Sequence, residues 1–137
     1  MERLSPVAKT LTPALALLAL LLWLLSAPPV AAHAIVMASE PAAGAVLAPG
    51  KHRFELRFNN RIDRKRSRLV LAGPMAAPGA TSPEQAQSLL EGSADDVLVT
   101  ELQVANPGRY RLRWQVLALD GHVTRGEVPF SVAQPAP

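Results

Sequence analysis

The 137-residue chain has no cysteine, and its one tyrosine, two tryptophans and three phenylalanines make up only 4% of it. Without cysteine there is no disulfide scaffold, no thiol redox chemistry and no thiolate to capture a soft metal. Excess charge is also scarce: 14 Lys and Arg against 11 Asp and Glu leave +3. The length excludes a large α/β enzyme and leaves room for one domain rather than two.

One long apolar run is present. Arg3 and Lys9 precede Leu11 to Leu25, which is almost wholly apolar, and Ser26-Ala27-Pro28-Pro29 ends it. About 15 residues fall short of the roughly 20 needed to span a bilayer as a helix. A basic start, a short apolar core and small residues after it are the layout of a cleaved secretory signal. Residues 1–32 are therefore read as a leader, and 33–137 as a single domain of 105 residues. A cut after Ala32 makes His33 the new N-terminus, whereas Ala32-His33-Ala34 also fits the small-x-small rule and would delete it. Losing Glu2, Arg3 and Lys9 lowers the charge to +2.

The rest reads as short strands. Phe54, Leu56 and Phe58 alternate with Arg53, Glu55 and Arg57 within 51–58, the period of a half-buried strand. Tyr110, Leu112, Trp114 and Val116 alternate with Arg109, Arg111, Arg113 and Gln115, directly after the turn Asn106-Pro107-Gly108. Further β-like runs cover 34–38, 68–72, 96–104 and 127–132. Pro129 in the last of these requires an edge or an unpaired N–H. Tyr110, just after its turn, suits the corner tyrosine of a sandwich. Residues 84–91, after Ser82-Pro83, read as the one helix, and 73–83 as a loop. Six or seven short strands predict an all-β, antiparallel Greek-key sandwich or small barrel.

Three histidines remain for chemistry: His33, His52 and His122. Asp120 and His122 are two apart, so in extended geometry they project to the same side, half of a metal site. The alternative is a plain Asp-Gly turn with a solvated histidine beside it. If the chain starts at His33, its α-amine and ring Nδ1 together close a chelate. Three nitrogens and one oxygen would suit Cu(II) in a tetragonal site better than Zn(II). His52 has no acidic or histidine neighbour and reads as a surface residue. The run Arg61, Arg64, Lys65, Arg66 and Arg68, broken by Asp63, reads as a solvated edge, since an exported domain does not meet nucleic acid.

His33-Ala34-Ile35-Val36, Ser39-Glu40-Pro41-Ala42-Ala43-Gly44, Arg53 to Asn59, Gly108 to Trp114 and Asp120-Gly121-His122-Val123-Thr124-Arg125-Gly126 together resemble the CopC family of periplasmic copper-binding proteins. The resemblance spans 33–132. It implies a cupredoxin-like or immunoglobulin-like β fold and a start at His33 after signal removal. It also implies one Cu(II) held by the N-terminal amine, His33, Asp120 and His122. A non-enzymatic copper carrier or buffer in the periplasm follows, monomeric, with a CopD-type inner-membrane protein as partner. The Met-rich Cu(I) site of some members is not matched, because only Met37 and Met75 follow Met1. Two other functions stay open on sequence. One is a copper monooxygenase with an N-terminal histidine brace, which Asp120 would obstruct. The other is a plain β-sandwich binding module.

Overall fold

The structure is a computed structural model that describes residues 13–25, 33–91 and 94–136. The chain divides into two units, Met1–Ala31 and Ala32–Pro137. Within the first, α1 (Pro13–Leu25) is apolar throughout. Its 13 residues make a rod of about 20 Å, against about 30 Å of bilayer hydrocarbon. No helix among the described residues is long and apolar enough to cross a membrane. The basic start and the junction at Ala32 lie outside the described residues.

The second unit is a β-sandwich of eight strands: β1 (Val36–Glu40), β2 (Val46–Leu47), β3 (Gly50–Phe58), β4 (Ile62–Met75), β5 (Glu84–Gln87), β6 (Val97–Val104), β7 (Gly108–Ala118) and β8 (Val123–Val132). One sheet has the order β1-β3-β6, the other β2-β8-β7-β4-β5. The chain passes from sheet to sheet at β1–β2, β2–β3, β3–β4, β5–β6 and β6–β7, the crossings of a Greek-key sandwich. Pairing is antiparallel except between β2 and β8, which run parallel through Val46↔Ser131 and Leu47↔Val132. The all-β, antiparallel Greek-key sandwich expected from the sequence is the fold found, with this one parallel pair in it.

The alternating positions face each other across the sandwich. Phe54, Leu56 and Phe58 of β3 meet Leu112, Trp114 and Val116 of β7 and Val128, Phe130 and Val132 of β8 in one buried cluster. The five aromatics of this unit each sit at a junction. Phe54 packs on Phe130 at 4.9 Å, Tyr110 stacks on Phe130 at 5.4 Å, and Phe58 meets Trp114 edge-on at 5.3 Å. The Tyr110 hydroxyl donates to the Asn106 carbonyl at 2.7 Å, the corner bond expected from its place after the turn. Trp114 fits because its partner on β8 is Gly126, where a Cβ would lie 2.4 Å from the indole.

Pro129 lies within β8, paired with Arg111 on β7. Its carbonyl accepts from Gly44 N–H, on the side away from β7. Main-chain N and O of one strand residue point the same way, so the missing N–H also faces away from the β7 ladder. The proline costs that ladder nothing.

The expected helix over 84–91 is not formed. Glu84–Gln87 is β5, paired antiparallel with Ala72 to Leu69 of β4. Two helical turns, with only Ala86, Leu89 and Leu90 at helical spacing, are marginal in water, and the open edge of β4 offers four residues of ladder instead. The chain after β5 then covers β6. Leu90 N–H donates to the Val99 carbonyl, and the buried Thr100 hydroxyl donates to the Ser88 carbonyl. This cover explains why Val97 and Val99 are buried along with Leu98.

Candidate metal centre

Strands β7 and β8 are paired up to Leu117↔Val123, leaving 119–122 to reverse the chain. The Ala118 carbonyl accepts from Gly121 N–H at 3.0 Å, and Ala118 N–H donates to the His122 carbonyl at 2.8 Å. Gly121 has φ +88°, the left-handed conformation that a turn followed by a bulge requires of its third residue. Asp120 and His122 therefore converge because the chain turns, not because it is extended as their spacing alone suggests. The His122 main-chain N–H donates to Asp120 Oδ1 at 3.0 Å, and His122 Nδ1 lies 3.1 Å from Asp120 Oδ2. That main-chain donor is the chief reason the Asp120 carboxyl is held below its ordinary range. The side chain of His122 and the imidazole of His33 lower it further.

His33 arrives from the other end of the sequence. Its ring stands edge-on to that of His122, with centroids 5.0 Å apart. One ligand atom from each of His33, Asp120 and His122 can be chosen so that all lie within 4.8 Å of one another, and all three residues are exposed. The next two residues hold it there. Ala34 is fully buried in the core, and its carbonyl accepts from Thr124 Oγ1 of β8 at 2.7 Å. Ile35 N–H donates to Asn59 Oδ1 at 2.8 Å, and Asn59 N–H returns a bond to the Ile35 carbonyl at 3.0 Å. Asn60 Nδ2 approaches the His33 carbonyl at 3.5 Å. The segment is thus fixed to both sheets.

Two imidazoles and a carboxylate on a rigid backbone match the ligand preferences of a divalent transition metal. The other candidates stay apart from this cluster. His52 lies on β3 opposite Leu102, its Nε2 2.7 Å from the Ala48 carbonyl. Met75 pairs with Arg109, at the opposite end of β7 from the 119–122 loop. Met37 sits exposed on β1, not packed inside. In the basic run, Arg61 pairs with Asp95 at 2.7 Å, Arg66 with Asp63 at 3.7 Å, and Arg64 donates to the Leu90 carbonyl. Asn59, Asn60 and Thr124 hold the 33–35 segment in place; Asn59 and Thr124 lie in the motifs quoted from the sequence, but none of the three was singled out there, because their role shows only in the hydrogen bonds of the folded chain.

A small β-sandwich carrying an imidazole–carboxylate cluster on its β7–β8 loop defines the class of protein. Residues 36–133 match the CopC domain. Protein YobA of Escherichia coli K12 is 30% identical over 115 residues, which cover 84% of this chain and 90% of that protein. CopC from Methylosinus trichosporium OB3b has a TM-score of 0.58 at 22% identity, covering 73% of this chain and 93% of its own. PcoC, a methionine-rich copper resistance protein from Escherichia coli, gives 0.56 at 25% identity, covering 74% and 100%. The chain belongs to the CopC family. Asp120 and His122 fall inside the matched domain; His33 lies just before it.

Proposed function

We propose that the chain is exported, cut after Ala32, and binds one Cu(II) as a periplasmic copper carrier or buffer. The observation that carries this reading is the grouping of His33, Asp120 and His122 within 4.8 Å by two elements far apart in sequence. Copper resistance is what PcoC is described as serving, and membership of the same family extends that role here. Cleavage would free the His33 α-amine beside its imidazole, completing a set of nitrogen and oxygen donors of the kind Cu(II) prefers. Asp120, already ionised, supplies negative charge without having to lose a proton when metal binds. The ion is cargo rather than a reaction centre, and a CopD-type inner-membrane protein is the proposed exchange partner. Only two methionines follow Met1, on different strands, which supports a single Cu(II) site without a thioether site for Cu(I).

The test is competitive Cu(II) titration of the processed protein and of His33→Ala, Asp120→Ala and His122→Ala. One equivalent should bind to the parent, and each variant should lose roughly 100-fold or more in affinity. Parent-like affinity in all three would remove the cluster from the model.

A further inference from the structure

The solvent face of the five-stranded sheet is rich in arginine. Arg68 of β4, Arg109, Arg111 and Arg113 of β7 and Arg125 of β8 all occupy outward positions in the alternation. Against these five cations the same face presents three carboxylates, Asp63 opposite Leu117, Glu84 and Glu127. All three are engaged: Arg66 pairs with Asp63 at 3.7 Å, Arg113 with Glu84, and Arg111 with Glu127 at 3.7 Å. Arg68, Arg109 and Arg125 have no carboxylate partner among the described residues. Five arginines against three carboxylates leave these positions with a surplus of two positive charges, so the chain's excess charge is local and not spread evenly.

Two of the three unpaired cations are aligned. Arg68, Gln115 and Arg125 stand side by side across three adjacent strands, in the register Arg68↔Gln115↔Arg125. Arg125 Nε donates to Gln115 Oε1 at 2.9 Å, which fixes its guanidinium over the sheet. Strands lie about 4.8 Å apart, so the two arginine backbones are roughly 10 Å apart. Between them runs an open groove of about 450 Å³, lined by Arg68, Arg113, Gln115, Arg125, Glu84 and Glu127. An extended peptide presents alternate side chains about 7 Å apart. Two carboxylates at that spacing lie within reach of both guanidinium forks, each of which can take a carboxylate bidentately. The interleaved Glu84 and Glu127 disfavour the denser charge of a polyphosphate or lipid surface.

We propose that this face is a docking surface for an acidic, extended segment of a partner protein. Arg125 of β8 is three residues after His122, the last residue of the loop, about 10 Å along the chain, so a partner seated here lies beside the metal cluster. The proposal stands without the copper reading, and its test is run without metal. Fluorescein-labelled hexaglutamate is titrated with the full chain in chelator at low ionic strength, and binding is read by anisotropy. Binding should weaken about tenfold in Arg68→Glu/Arg125→Glu and fall steeply with added salt. Arg68→Gln/Arg125→Gln should weaken it by a smaller factor. Lys51→Glu/Arg53→Glu, the same change in net charge on β3 of the other sheet, should leave it nearly unchanged. Equal weakening by both reversals would mean net charge alone, and would overturn the proposal. So would absence of peptide binding, including the case where phosphatidylglycerol vesicles bind and the peptide does not.

Discussion

Asp120 accepts the His122 main-chain N–H, and this one bond shapes the loop and keeps the carboxylate charged. A carboxyl lowered in the folded state stays ionised as pH falls through its ordinary range, and protonates only below it. At the proposed site, therefore, acid competes with metal for the nitrogen donors, the imidazoles and the freed α-amine, and not for Asp120. Cu(II) affinity measured by competition should drop more than about tenfold between pH 7 and 5. An affinity constant across that interval would exclude these nitrogen ligands. Asp120 and His122 were legible as a pair because the residues themselves imply the chemistry. The Asp-Gly turn was legible only as the rival of the metal reading; in the folded loop, with Gly121 in the left-handed region, the turn is what brings the pair together. Tyr110 was read from its position after a turn, and the structure supplies its acceptor. Tyr110→Phe should cost about 1 kcal/mol in urea unfolding by removing the bond to Asn106. No change would make that corner bond dispensable.

Among the elements, β3, β7 and β8 were clear because strict alternation reports a sheet with one buried face. β5 was not. Four residues hold no period, and their strand character comes from the free edge of β4. The two-residue β2 is hidden for the same reason. The segment 33–35 has no regular structure, yet Thr124 and Asn59 bind it to β8 and to the end of β3. Thr124 is thus a positioning residue for His33. Thr124→Val should lower Cu(II) affinity about tenfold and change the Cu(II) EPR spectrum with little change in thermal midpoint, and Thr124→Ser should restore both. A lowered midpoint with an unaltered spectrum would make the bond structural only. Between β7 and β8, Gly126→Ala forces its methyl into Trp114 and should cost about 1–3 kcal/mol in urea unfolding. Parent-like stability there would mean that the indole can move aside.

For the whole molecule, the sandwich brings position 33 against positions 120 and 122 and gives the basic residues of β4, β7 and β8 one face. Strand periodicity foretold the all-β class. It could not foretell which sheet faces what, because that depends on the order in which strands cross between layers. The central claim joins processing to binding: a chain that starts at His33 holds one Cu(II). Native intact mass spectrometry of the protein exported by copper-fed cells tests both parts at once. The account predicts a mass that starts at His33 and carries one copper. A mass that starts at Ile35, or at His33 without copper, would contradict it.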